Sequence, residues 1–345
     1  MKYRAEIDSH MSEAMNNLKI MISDVSLIIP SQNAEKNLFQ LLRHLVNWEI
    51  IPSEIIIIDS SQIKLNIPNE FKLFTEKNNI RLLVVHERSL YPGKARNIGI
   101  NKATNPILAF LDTSTHPTKK WLSSALHIHQ AKGLQGVWGN TYYKADTYIA
   151  SLIRACTYGS KPLQTFPGSV VEKNIFNRCG LFIESTRAGE DGDWMSRASL
   201  HKIKLSNPEE VLNYGELNSI SLGGVLKKWF RNYSFSGNLP HRKIQKDLYY
   251  YLISFVTVLI AYNWNKVIAA WDTESIYFIP NVTKISLLVI IAIYAAIRGI
   301  LLPKKKGIDF KFIFPMNFIF ISAISFLIDI TKALAFGYSR FRKND

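Results

Sequence analysis

Cysteine is scarce in this chain: two residues, Cys156 and Cys179, in 345. That is too few for a disulfide framework and fits a reducing, cytosolic setting. Acid is also in short supply, with 27 Asp and Glu against 42 Lys and Arg and a formal net charge of +15. Such a balance suits a nucleic-acid binder or a protein lying on anionic lipid. There is no internal repeat, no low-complexity segment, no nucleophile elbow and no phosphate loop, and the eight histidines show no metal-ligand spacing. These gaps argue against serine-hydrolase, P-loop and zinc-site chemistry. Residues 1–22 are charged along their length and lack the apolar core of a signal peptide, so no secretory signal is expected there.

What is present is an alternation of short apolar runs and amphipathic stretches. Residues 24–30 (DVSLIIP), 53–59 (SEIIIID), 80–86 (IRLLVVH) and 107–112 (ILAFLD) read as buried strands. Between them, 34–48 has Leu38, Leu41, Leu42, Leu45 and Trp48 at helical spacing, and 93–103 and 119–131 also read as helices. Strands alternating with helices predict an α/β fold with a parallel sheet covered on both faces. Beyond residue 134 the signals weaken. A strand is expected over 136–143, a helix over 147–157, a loop over 160–169 and a further strand over 170–176. Two strands end in a carboxylate, Asp59 and Asp112, at the sheet edge where open α/β sheets bind ligands. Residues 190–201 begin with Glu190 and Asp191, as a helix amino terminus favours.

After about residue 224 the character changes. Residues 226–235 (LKKWFRNYSF) mix cations with aromatics, as a helix in the headgroup region does. Residues 248–264 are seventeen without a formal charge, with tyrosines at one end and Tyr262 and Trp264 at the other. A second apolar stretch covers 285–302, with Arg298 close enough to its end to snorkel, and a third covers 312–328. Cations before the first and after the second stretch place both ends in the cytoplasm. The third stretch then either spans or is re-entrant, the latter keeping Arg340, Arg342 and Lys343 inside. The expected organisation is an extension (1–22), an α/β domain (23–224), an interfacial segment (225–247) and a membrane region (248–345). Most interleaving of cations with aromatics sits beside that region, so the expected partner is an anionic membrane and no nucleic acid.

The segments VSLIIPSQN, EIIIIDSS, GKARNIGINKA, ILAFLDTSTHPTKKWL and AGEDGDWMSR, in this order, resemble a family 2 glycosyltransferase over roughly residues 24–235. The resemblance implies a GT-A fold, Rossmann-like with a mostly parallel sheet flanked by helices, here followed by C-terminal transmembrane helices. It implies an inverting transfer from a nucleotide-diphosphate sugar to a lipid-linked or membrane-proximal acceptor, in surface polysaccharide or glycolipid assembly. The enzyme would be a multi-pass protein of the cell membrane with its catalytic domain in the cytoplasm. Polyprenyl phosphate is the alternative acceptor, and a non-catalytic sugar-nucleotide-binding scaffold the alternative of another class.

Site roles follow residue by residue from the resemblance. Pro30, Asn33 and Glu35, after the first strand, would touch base and ribose, although Asn33 also suits a helix cap. Asp59 would accept a hydrogen bond from the nucleotide, or close an Asx turn. Lys94 and Arg96 sit in the first turns of a helix, where cations are unfavourable unless an anion such as a diphosphate binds. Asp112 heads the family's metal motif for Mg²⁺ or Mn²⁺, but Ser114 stands where the second carboxylate is usual, which puts metal dependence in question. Asp191 matches the general base. Glu190 is an alternative base or cap. Trp194, Trp229 and Arg231 are weaker candidates for sugar or acceptor contact, with core packing or interfacial anchoring as the competing explanations.

Overall fold

The structure is a computed structural model that describes residues 21–236, 263–341 and isolated positions between them. The extension 1–20 and most of the stretch 237–262, including the expected first span, lie outside the described residues.

Alternating isoleucines and leucines build a central sheet with two apolar faces. Strands β1 (Met21–Ser31), β2 (Ile50–Asp59) and β4 (Ile107–Phe110) send Leu27, Ile29, Ile55, Ile57 and Ala109 to one face. Ile28, Ile56, Ile58, Leu108 and Phe110 go to the other. A strand's period of two makes this division unavoidable once both faces are covered. The first face is covered by α1 (Glu35–Leu45), α2 (Asn69–Lys77) and α4 (Trp121–Lys132). The second is covered by α3 (Pro92–Lys102), α6 (Ile175–Cys179) and α7 (Glu190–Leu200).

Together with β3 (Arg81–His86), β5 (Thr115–His116), β6 (Gly136–Tyr143), β7 (Leu163–Glu172) and β8 (Leu212–Tyr214), the sheet has the order β3-β2-β1-β4-β7-β6-β8-β5. The β3-β2-β1-β4 half is parallel, whereas β7 runs antiparallel to both β4 and β6. The order in which strands are added reverses at β1, with β2 on one side and β4 on the other. That topology opens a crevice at the carboxyl ends of β1 and β4.

The expected loop over 160–169 is instead the first part of β7, and the expected strand over 170–176 is its end followed by α6. Pro167 and Gly168 mislead because they sit at an irregularity. The β6–β7 register shifts between Val137 and Gly139, and Gly168 adopts a φ of +93°. The expected helix over 147–157 is α5 (Tyr148–Cys156), and the Thr147 hydroxyl caps it by accepting from the Ala150 N–H.

A third cluster joins α5 and α8 (Leu222–Ser236) to the tail. Helix α9 (Val282–Ala295) runs on through the π turn Ala296–Leu301 and the turn Leu302–Lys305. Helix α10 (Asn317–Phe341) extends well past the expected end of the third apolar stretch. Within it, Asn317–Ser339 is the one described segment long and apolar enough, by helix length and composition, to cross a membrane. The tail is fastened to the α/β domain by the Lys306 carbonyl, which accepts from the Ser160 and Lys161 N–H groups, and by the Lys306 ammonium on the Thr157 carbonyl (2.6 Å).

Candidate active site

Three strand ends and one helix start meet in the crevice. Asp112, two residues past β4, is pinned by Thr115, whose N–H and hydroxyl donate to the Asp112 carbonyl at 3.0 and 2.6 Å. Its carboxylate accepts from Arg96 (3.1 Å) and from the Tyr214 hydroxyl (2.9 Å), which comes from β8. Arg96 also donates to Glu190 at 2.7 Å. A buried guanidinium thus joins the carboxyl end of β4 to the amino end of α7.

Burial opposes the charge on Arg96, but Asp112, Glu190 and Asp191 outweigh that effect and raise its pKa. Burial pushes the Glu190 carboxyl up to about 7; Arg96 pulls it down and Asp191 pushes it up again. Burial, then the neighbouring Asp112, raises Tyr214 well above the usual phenol range, so it stays a donor.

Helix α3 comes close enough to deliver Arg96 because Gly93 has no side chain. A Cβ there would lie 2.1 Å from the Ile183 carbonyl oxygen. Gly189, before α7, takes a φ of +92°, and a Cβ on it would lie 2.9 Å from that of Ser236 on α8. The turn that presents Glu190 and Asp191 is therefore pressed against α8.

Two adjoining cavities share Asp112, Arg187, Glu190 and Asp191. The first, about 340 Å³, reaches back to Pro30, Gln32 and Ser60 at the ends of β1 and β2. The second, about 250 Å³, runs past Tyr143, Tyr214, Lys228 and Asn232. Arg187 stands between them and donates to the Gln32 side-chain oxygen at 2.6 Å. A further cavity, about 690 Å³, lies elsewhere, at the amino end of β4 around Pro106, Glu172 and Asn174. It holds none of Asp112, Glu190 and Asp191, so the smaller pair is the candidate site.

The expected residues divide into groups. Pro30, Arg96, Asp112, Glu190 and Asp191 line the crevice. Asp59 is fully buried behind Ser60, with its oxygens accepting from the Ser61 N–H (3.1 Å) and Leu65 N–H (2.8 Å) and facing His86 Nδ1 (2.9 Å). These contacts pull its carboxyl below the usual range against the opposing effect of burial. Asp59 organises the loop at 60–65 instead of projecting into the cavity. Asn33 and Glu35 are exposed and outside both cavities; the Asn33 N–H donates to the Ser61 hydroxyl.

Lys94 points away from the crevice and pairs with Glu87 at 3.0 Å on the surface. The expected conflict of cations with the α3 dipole is therefore met by the chain's own carboxylates. Trp194 is fully buried against Phe166, Phe176 and Phe182, with its N–H on the Gly180 carbonyl, which corrects the expectation of a sugar contact. Trp229 and Arg231 lie on α8, outside the two cavities, and Trp229 packs beside Tyr158 and under Lys332.

The sequence reading missed Gln32, Tyr143, Arg187, Tyr214 and Lys228. Arg187 lies two residues before Gly189 and could have been suspected. Tyr214 reaches Asp112 across 102 positions, and nothing local announces it.

A resident metal fits poorly. Among the described residues no three His, Cys, Asp or Glu side chains are placed to hold one. Asp112 offers one carboxylate already engaged by Arg96 and Tyr214, with Ser114 beside it. A hard divalent ion wants six or so oxygen ligands, more than this set supplies.

Sheet order, crevice and carboxylate placement define a GT-A type transferase domain. Residues 26–163 match the family described as Glycosyl transferase family 2. This region of the chain is a family 2 glycosyltransferase domain. The chain is 26% identical over 223 residues to Glycosyltransferase AglE of Haloferax volcanii, covering 60% of this chain and 71% of that protein. It is 27% identical over 197 residues to the poly(ribitol-phosphate) beta-N-acetylglucosaminyltransferase TarS of Staphylococcus aureus, covering 52% of this chain and 33% of TarS. It thus spans a third of the latter's length. Among solved structures, the mannosyltransferase PcManGT from Pyrobaculum calidifontis, in complex with GDP-Man and Mn²⁺, superposes with a TM-score of 0.48 at 12% identity, over 96% of this chain and 93% of that one. The TarS crystal structure gives 0.36 at 14%, over 87% of this chain and 55% of that one.

Proposed function

We propose that the chain transfers a sugar, with inversion, from a nucleotide-diphosphate sugar to a lipid-linked or membrane-proximal acceptor. The observation that carries this reading is the pair of adjoining cavities sharing Asp112, Arg187, Glu190 and Asp191. In it the donor occupies the side toward Pro30 and Ser60, and the acceptor the side toward Tyr143 and Lys228. Asp191 faces both and takes the acceptor hydroxyl's proton as that oxygen attacks the anomeric carbon. The bond to the diphosphate breaks, and Arg96 and Arg187 offset the charge that develops on the leaving group. Glu190 holds Arg96 in place, and Tyr214 and Arg96 together hold Asp112. The apolar helix Asn317–Ser339 supports attachment to a membrane, and the proposal puts the catalytic domain on the cytoplasmic side, where nucleotide sugars are made. The product would feed surface polysaccharide or glycolipid assembly.

The test is release of nucleoside diphosphate by the purified chain from a panel of UDP- and GDP-sugars, with polyprenyl phosphate and glycolipid acceptors. Wild type is expected to release nucleotide in an acceptor-dependent way, and Asp191→Asn to bind donor without turnover. Equal turnover by the two proteins would remove Asp191 from its role. Nucleotide binding without turnover by either, across the panel, would favour a scaffold.

A further inference from the structure

One surface outside the crevice is both apolar and cationic. Tyr148 and Ile149, at the head of α5 in the catalytic domain, are 55% and 60% exposed. Phe310, Met316, Ile319 and Phe320, on the approach to α10 and its first turn, are 49–58% exposed. The two sets belong to one surface. The Tyr148 hydroxyl donates to the Asn317 side-chain oxygen at 2.5 Å, and the Tyr148 ring lies 6.4 Å from that of Phe312.

Cations rim this surface. Lys304 sits 5.9 Å from the Phe310 ring, and Lys305 and Lys311 are exposed nearby. Residues 301–320 carry four lysines against one acid, Asp309, whose carboxylate accepts from the Lys311 N–H. Exposed aromatic and aliphatic groups ringed by lysine are what a headgroup layer of anionic lipid accommodates. The surface is continuous with the helix whose length and composition suit a bilayer.

It is also close to the chemistry. Tyr143 lines the second cavity, and Tyr148 follows it by five positions, a reach of at most about 18 Å.

We infer that Tyr148, Ile149, Phe310, Met316 and Phe320, rimmed by Lys304, Lys305 and Lys311, form the face by which the catalytic domain itself lies on an anionic leaflet. This inference rests on the membrane attachment proposed above and goes beyond it. It names residues of the catalytic domain that enter the lipid interface.

The test uses the full chain with an environment-sensitive fluorophore on Ile149→Cys or Phe310→Cys, and on Leu73→Cys as a remote exposed control (60% exposed). The natural Cys156 and Cys179 are buried. The proteins are placed in bilayer discs of phosphatidylcholine alone or of equal parts phosphatidylcholine and phosphatidylglycerol. In the anionic discs, the labels at 149 and 310 are expected to shift to the blue and to be quenched by lipid-borne quencher. The label at 73 stays open to iodide. Combining Lys304→Glu, Lys305→Glu and Lys311→Glu with Ile149→Cys is expected to abolish the shift. An Ile149 label as open to iodide as the one at 73, in protein that resists alkaline extraction from the bilayer, would overturn this inference while leaving membrane attachment intact. Release of the protein by alkaline extraction would overturn both. Protection of the Ile149 label in detergent that rises with protein concentration would overturn it in favour of a second copy as the occupant.

Discussion

Arg96 shows how much of the site depends on one side chain. It is buried, and it bonds one carboxylate from a strand end and another from a helix start. Removing one member of a buried ionic set costs about 3–5 kcal/mol, because the remaining charges are left uncompensated. Lys94, two residues earlier, forms an exposed pair with Glu87, and such pairs contribute about 0–1 kcal/mol. Arg96→Ala is therefore expected to lower the unfolding free energy by several-fold more than Lys94→Ala, measured by chemical denaturation. Comparable losses would show that Arg96 is not the tie described here. Asp191→Asn is expected to leave stability near wild type and to lower kcat by about 10²–10⁴-fold, the range for loss of a positioned general base. Glu190 carries the pH signature. Its carboxyl is raised from an ordinary 4.5 to about 7, so the folded state holds this proton more tightly than the unfolded state does. That contribution to stability is fully present below about pH 4.5 and is lost as pH rises through 7. Relative to Glu190→Gln, wild type is expected to lose thermal stability between pH 5 and pH 8; a constant difference across that window would contradict the assignment.

At the scale of elements, α8 and α10 matter most, because they connect the crevice to the tail. Lys228 and Asn232 of α8 line the second cavity. The next residue after each, Trp229 and Tyr233, carries the Lys332 ammonium of α10 over its ring, at 4.6 and 5.5 Å. Lys332 lies 3.7 Å from Asp329, which Arg298 holds with two contacts of 2.8 Å and the Tyr294 hydroxyl holds at 2.9 Å. Charged groups on an apolar helix persist where they satisfy one another. Asp329→Ala is expected to destabilise the protein in detergent by about 3 kcal/mol, because it strands Arg298. Arg298→Met with Asp329→Leu is expected to recover most of that loss, since both charges leave together. A double variant no more stable than the single would refute the pairing as the reason. The periodicity of 34–48 announces α1, and the apolar runs IIII and ILAF announce β2 and β4, because each element buries its own apolar pattern. Strand β7 is hidden by Pro167 and Gly168, residues that normally mark loops, here accommodated by the register shift against β6. Strands β5 and β8 are too short for any pattern to show.

For the whole molecule, the donor set has a consequence for metal binding. With Asp112 engaged by Arg96 and Tyr214 and no second carboxylate in its motif, the protein without donor is expected to retain no stoichiometric Mn²⁺ in equilibrium dialysis. Tight retention of one ion per chain would show that the side chains rearrange to make a site. The motifs from VSLIIPSQN to AGEDGDWMSR announced the fold class and the family, and Pro30, Arg96, Asp112, Glu190 and Asp191 all line the crevice. The sequence by itself determined the α/β class, because strand period, strand-end carboxylates and the acidic helix start are local patterns, legible within a dozen residues; the site roles came from the resemblance of the motifs to the family. Only the tertiary structure decided that Arg96 is clamped between Asp112 and Glu190 while Lys94 faces solvent, that Asp59 lies behind Ser60, that Tyr214 holds Asp112, and that Tyr148 joins Asn317. Those facts depend on groups up to 169 positions apart meeting in a folded interior, where burial and charge set each partner's state and no local pattern records the meeting.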